Sequence, residues 1–293
     1  MPDVDDPTVQ SSAVRSPLVR PPRHPAEELT GCRLAIGDAE PVGVHMPLPQ
    51  DAAASLSHLA VAIDVAAGQA AARQLPGPET ALRTLSLNLQ LGAPPAAGTW
   101  VSAHGRLRSQ KGRSLLTSCE ILDASGDLVA LGTGRFIIVD VPRRGLPTPA
   151  PVPLDRSALP PAWDDALGLG DPQQQTENPA QTPITVRSAA PSAATDNGAD
   201  MVHGGVQVRA LELAMRSALE AGSPPRALSL SDVAVVFHRP VPLDSGAGVQ
   251  TRSSVRRTGR RVSVTEASLM DADQRLLTTA EGIFTAASSS QES

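Results

Sequence analysis

Between Asn197 and Met215 the chain reads NGADMVHGGVQVRALELAM, which sets His203, Gly204 and Gly205 at the start of a helical run and places a carboxylate, Glu212, nine residues beyond His203. A Gly-Gly pair at a helix start leaves backbone N–H groups unshielded at the positive end of the helix dipole. Such a mouth can stabilise a carbonyl oxygen that becomes negative, and a carboxylate can attack the carbonyl carbon or activate a water that does. One helix cannot supply both parts to one substrate. At a rise of about 1.5 Å per residue, Glu212 lies about 13 Å along the axis from His203. The acid serving the His203 mouth must come from elsewhere in the chain.

A repeat identifies where. Shifting the sequence by 148 residues, the difference between positions 64 and 212, lays Asp64 on Glu212, Pro94 on Pro242, Arg108 on Arg256, Asp123 on Asp271, Gly134 on Gly282 and Phe136 on Phe284. A period this long means a duplicated domain and not a solenoid. Each copy opens with a helical segment, 51–74 or 201–220, and continues in alternating apolar runs. In the first copy these are 85–91, 101–107, 115–121 and 128–138; in the second, 233–237, 249–255, 262–269 and 276–284. Period-two alternation broken by KGR at 111–113, ASGD at 124–127 and TGR at 258–260 predicts antiparallel hairpins. The expected class is α+β.

The spacing of Asn197, His203, Gly204, Gly205 and Glu212 resembles the active-site helix of the PaaI-like hotdog-fold acyl-CoA thioesterases. The resemblance spans about 27–140 and 196–287, is specific around Asn197–Glu212, and is pattern-level in the first copy. It implies two fused hotdog domains, each a central helix wrapped by an antiparallel sheet, related by a pseudo-twofold axis. It also implies thioester hydrolysis of an acyl-CoA, no cofactor or metal, and roles for His203 and Asn197 in orienting the substrate or water. Thr84, ten residues before Pro94, falls near a position where related enzymes carry a Ser or Thr that positions the water.

If the two helices lie antiparallel across the axis, Asp64 reaches the mouth at Gly204 and Glu212 reaches the mouth of the first helix. These pairings are unequal. Ser55, Leu56 and Ser57 stand where the second copy has His203, Gly204 and Gly205, and Pro49 stands opposite Asn197. A leucine where a carbonyl must approach backbone marks the Leu56–Glu212 mouth as decayed. Asp64 has Ala60, Ala67 and Gly68 as helical neighbours, an apolar setting that raises a carboxylate pKa, whereas Glu212 has Arg209 and Arg216 at three and four residues, the spacing of an ion pair. The expected working site is therefore Asp64 as nucleophile or general base and the Gly204 N–H as oxyanion donor. His203 and Asn197 orient, and Gly205, Thr84 and Glu212 are secondary. Plainer readings are a solvated helix acid for Asp64, a structural histidine for His203 and a turn residue for Asn197.

A net charge of -5 leaves no basic field for nucleic acid. The hairpin cations Lys111, Arg113, Arg256, Arg257 and Arg260 read as a solvated strand edge or as partners of the coenzyme A phosphates. Two cysteines, Cys32 and Cys119, suggest neither a disulfide framework nor a zinc site. No 18-residue apolar run predicts a membrane span, and the acidic MPDVDD opening is unlike a secretory leader, so a cytoplasmic protein is expected. The Pro-, Ala- and Gln-rich stretch 142–195 reads as an extended linker with Trp163 and Leu167 docking, and 1–25 and 288–293 read as tails. The domains are then 26–141 and 196–287, with further pairing of such units possible.

Three aromatic Phe, two Trp and no Tyr favour an aliphatic acyl group over a stacked aryl one. The alternative from another class is a non-catalytic acyl-CoA-binding or scaffold protein, suggested by the degenerate first copy and the linker. A hotdog hydratase would need Asp and His acting jointly, but Leu56 and not His follows Asp51 by five residues.

Overall fold

The computed structural model describes residues 17–37, 40–50, 55–141, 149–157, 163–175, 184–222, 228–243 and 248–286. Asp51, the remaining linker positions and the stretches 1–16 and 287–293 lie outside them. The alternating runs form two five-stranded antiparallel sheets. The first is β3 (Val42–Pro47), β5 (Trp100–Lys111), β6 (Ser114–Leu122), β7 (Leu128–Val139) and β4 (Ala81–Leu91), in that spatial order. The second, in mirrored order, is β11 (Leu228–Phe237), β14 (Leu276–Ala286), β13 (Val262–Asp271), β12 (Val249–Thr258) and β10 (Ile184–Ala189). β4 and β11 pair antiparallel from Asp232 opposite Gln90 to Val236 opposite Ser86, so the two sheets continue as one. Short strands extend the edges: β1 (Leu18–Arg20), β2 (Arg33–Ala35) and β8 (Val152–Pro153) beside β3, and β9 (Gln173–Gln175) beside β10.

Each sheet wraps one long helix. Alternation makes this possible, since along β6 the odd positions Leu115, Thr117, Cys119 and Ile121 are buried beneath α2 (Leu56–Ala72). Small side chains let α2 sit deep between the sheet and its partner helix, and every residue from Leu56 to Ala67 is buried. The second helix, α3 (Gly204–Gly222), crosses α2 at Gly205. A Cβ there would lie 2.5 Å from the Val61 Cα, so only glycine permits this approach. The helices run antiparallel across the pseudo-twofold axis, and they begin 148 residues apart at Leu56 and Gly204, as the repeat requires.

Two stretches depart from the sequence reading. The run Ile184–Ala189, assigned to the linker, is the edge strand β10, with Arg187 opposite Thr251 on β12. It is the counterpart of β3, where Val44 stands opposite Ala103. Ala103 and Thr251 keep the 148-residue register, but Val44 and Arg187 are 143 apart, so the repeat slips by five residues upstream of the helix. The second unit thus begins at least as early as Ile184 and not at 196. Likewise Leu18–Arg20, assigned to a tail, is strand β1 with Val19 1% exposed, and α1 (Pro25–Thr30) follows it. In the linker, Trp163 and Leu167 are buried, and Asp164–Leu167 form a single 3-10 turn.

Candidate active site

Asp64 lies in the middle of α2, 6% exposed, and faces the start of α3 and not solvent. The Gly205 N–H donates to its Oδ2 at 3.2 Å, and the Thr84 hydroxyl, from β4, donates to its Oδ1 at 3.2 Å. His203 Nδ1 stands 3.5 Å from Oδ2. The carboxyl group from one copy and the helix mouth from the other therefore meet as the repeat implied. Gly205 donates to the acid, while Gly204, at the first helical position, has no intrahelical acceptor for its N–H and no hydrogen bond among the described residues.

Gly204 touches the carboxylate in another way. A Cβ on it would fall 2.6 Å from Asp64 Oδ2 and 3.4 Å from the Phe237 ring. Gly204→Ala is accordingly expected to push the carboxylate aside while α3 still forms. Steady-state thioester hydrolysis should show kcat lowered about 10²-fold, the scale of an ångström-sized misplacement. Near-normal kcat would show that Asp64 can yield without loss.

The electrostatics suit a base. Burial raises the Asp64 pKa from 3.8 to about 6, against the Thr84 and Gly205 hydrogen bonds and the nearby His24, which lower it. Burial likewise lowers His203 to about 4, helped by His24 and opposed by Glu27. His203 is thus neutral near pH 7. Its Nδ1 accepts the Gly205 N–H at 3.1 Å, which places the remaining ring proton on Nε2. A neutral ring in this tautomer presents an N–H donor at Nε2.

The opposite mouth is filled by protein. Ser55 donates to Glu212 Oε2 at 2.7 Å, Ser57 donates to the same oxygen, and Arg209 Nη1 lies 3.2 Å from it. Arg216 Nε donates to Oε1 at 2.7 Å. Arg209 in turn makes a paired contact to Asp164 at 2.8 and 2.6 Å, and Trp163 sets its ring edge-on to His58 at 5.7 Å. Although burial alone would raise the Glu212 pKa, Arg216, Arg209, Ser57 and Ser55 hold it down at about 2. Every acceptor position of this carboxylate is occupied, and Leu56, 0% exposed, sits where the other mouth has Gly204.

Other sequence candidates fall elsewhere. Asn197 is a turn residue, its Oδ1 accepting the Ala199 N–H at 2.9 Å, and it makes no hydrogen bond to Asp64. The hairpin cations divide. Phe237, beside Gly204, pairs with Thr278, whereas the 258–262 hairpin adjoins Thr285, seven residues further along β14. At about 3.3 Å per residue this sets Arg260 more than roughly 20 Å along the strands from the Gly204 mouth, and Arg257, level with Ile283 through Val264, about 16 Å. They are exposed, and Arg256 pairs with Glu266 at 2.8 Å, as on a solvated strand edge. Lys111 is better placed. Thr84, Phe136, Leu115 and Gln110 form one row across β4, β7, β6 and β5, which puts the tip of the first hairpin about 14 Å from Thr84. Arg113 at that tip is tied to Asp140 at 2.7 and 2.9 Å.

The sequence reading missed His24 and Glu27 beside His203, and Asp164 at the closed mouth. The first pair carried a signal. His-Pro-Ala-Glu-Glu at 24–28, with proline at the first helical position and acids in the first turn, is a helix start.

Comparison with known proteins agrees with this architecture. Residues 39–134 match the family model described as acyl-CoA thioesterase C-terminal domain, and 199–278 match that of the thioesterase superfamily, together more than half of the chain. No curated protein sequence matches. The TesB protein of Mycobacterium avium subs paratuberculosis superposes with a TM-score of 0.62 at 12% identity, over 86% of this chain and 94% of that one. An acyl-CoA thioesterase II of Mycobacterium marinum gives 0.56 at 13% identity over 88% and 96%. A hot dog fold protein of unknown function from Alicyclobacillus acidocaldarius gives 0.55 at 12% over 90% and 98%. At such identities the structures speak for the fold. With both copies matched by thioesterase models, the chain belongs to the hotdog-fold thioesterase superfamily, a family of thioester hydrolases, in its duplicated double-hotdog form.

Proposed function

We propose that the chain hydrolyses acyl-CoA thioesters at one composite site, with Asp64 as the acid of the first copy and the Gly204 mouth as the oxyanion site of the second. The observation that carries this is the approach of the Asp64 carboxylate to the bare start of α3, 3.2 Å from the Gly205 N–H. As a general base Asp64 takes a proton from water, the oxygen adds to the thioester carbon, and the Gly204 N–H receives the carbonyl oxygen as it becomes negative. Collapse breaks the C–S bond and releases the acid and the thiol. Thr84 fixes the Asp64 carboxylate, and neutral His203 offers its Nε2–H to the substrate. Direct attack by Asp64 would instead incorporate ¹⁸O from labelled water into its carboxyl group over repeated turnovers. Lys111 is the cation best placed for the coenzyme A phosphates, and the spacing of the His203 motif supports the PaaI-like subtype.

Release of free thiol from an acyl-CoA chain-length series tests the reading. Turnover with aliphatic chains supports it; coenzyme A binding with no thiol release at any length would support the non-catalytic alternative. The pH profile follows from Asp64. Activity needs the carboxylate, so kcat/KM is expected to rise tenfold per unit as the pH climbs toward about 6. A profile already flat near pH 4 would show that another group is the base.

A further inference from the structure

Ahead of the first sheet, the chain carries a buried polar atom with nothing to bind. His24 immediately precedes α1, and α1 is fastened beside the start of α3 by the Ala26 N–H, which donates to the Asp196 carbonyl at 3.0 Å. Glu27, 6% exposed, grips this turn: its Oε1 is 3.4 Å from His24 Nε2, and its Oε2 accepts the Arg23 N–H at 2.8 Å. The His24 ring is thereby held 6.2 Å, centroid to centroid, from the His203 ring that adjoins Asp64. The other ring nitrogen, Nδ1, is buried and has no hydrogen-bond partner among the described residues. With the Glu27 carboxylate facing Nε2, Nε2 carries a hydrogen, and Nδ1 is left to bind or move a proton. At the closed mouth the covering segment behaves differently, with Asp164 bound to Arg209 and Trp163 packed on His58.

We propose that His24, fixed by Glu27, is the proton donor to the departing thiolate. This rests on the acyl-CoA hydrolysis proposed above. When the C–S bond breaks, its electron pair goes to sulfur, and the Nδ1 proton of the His24 imidazolium passes to that sulfur to give the free thiol. Glu27 fixes the ring through Nε2. Solvent reprotonates His24 after product release, while Asp64 returns to solvent the proton it took from water. The titratable and charged groups around His24 are Arg23 and Glu27 in its own segment, His203 ahead of α3 and Asp64 on α2.

The test compares two leaving groups on one acyl chain: coenzyme A, whose thiolate is basic, and 4-nitrothiophenol, whose thiolate departs without help. His24→Asn keeps a polar atom near the Nδ1 position but has no proton to transfer. It is expected to lower kcat about 10²-fold for the acyl-CoA and less than about threefold for the nitrothiophenyl ester. Glu27→Gln should show the same selectivity with a smaller loss. Equal losses on both esters, or no loss on either, would overturn the proposal, because a packing role cannot distinguish leaving groups. If His24→Asn does not fold, the selectivity of Glu27→Gln decides by the same criterion. A wild-type protein that releases no thiol from any acyl-CoA would instead remove the hydrolysis reading itself.

Discussion

Replacing Asp64 with asparagine is expected to lower kcat by about 10³-fold or more while making the protein more stable, the combination that marks a buried group kept for chemistry. The steric change is minimal. An asparagine amide can accept the Gly205 N–H through its oxygen and offer its NH₂ to the Thr84 hydroxyl, so both existing contacts survive. What disappears is the charge that burial opposes. Asp64 has its folded pKa raised, from 3.8 to about 6, so the folded state holds the proton more tightly than the unfolded chain. Relative to an uncharged residue it costs nothing below pH 3.8, where both states are protonated. The cost grows through the window from 3.8 to about 6 and is complete above it, at about 3 kcal/mol for two units. Asp64→Asn should therefore raise the urea midpoint above pH 6 and leave it unchanged below pH 3.8. A midpoint lowered at neutral pH would mean that the carboxylate is a structural anchor.

Glu212 predicts the converse. The sequence marked the Leu56–Glu212 mouth as decayed, and the structure adds that Glu212→Ala will be hard to fold. The substitution strands Arg209, 6% exposed, and Arg216 around an empty position, and removes the acceptor of both Ser55 and Ser57. Breaking one side of a buried ion network costs about 3–5 kcal/mol; Asp164 still holds Arg209, and Arg216 can turn toward water, so the lower figure applies. The pH dependence runs opposite to that of Asp64. The Glu212 folded pKa is depressed from 4.5 to about 2, so its contribution is present above pH 4.5 and lost as pH falls toward 2. Urea unfolding should thus show wild type and Glu212→Ala converging in that acid window. At neutral pH, kcat per folded molecule should stay within a few-fold of wild type. A large fall in kcat with unchanged stability would show that Glu212 takes part in the reaction.

The contrast between these two carboxylates was legible before any coordinates because helical neighbours at three and four residues are set by sequence: alanine and glycine around Asp64, arginine around Glu212. The repeat, read from apolar alternation, likewise told which acid meets which mouth. Three features were hidden for identifiable reasons. β10 escaped because the repeat slips by five residues between Val44 and Arg187, so the shift that aligns the helices misaligns the edge strands. His24 and Glu27 escaped because a proline-rich, polar stretch was weighed by composition, although its helix-start pattern was present. The arginines at 256–260 were left with two readings because charge can be counted in a sequence, but which end of a sheet carries it depends on strand direction.

On the proposed reading, divergence of the two copies leaves one chain with a single reactive mouth. The first copy has the acid without the glycines; the second has the glycines, and arginines surround its acid. A structure of the Asp64→Asn variant with bound acyl-CoA tests that division most directly. The account predicts one substrate per chain, its thioester oxygen within hydrogen-bond distance of the Gly204 N–H and its carbonyl carbon facing residue 64. A thioester seated instead against Ser55 and Glu212, or one at each mouth, would contradict it.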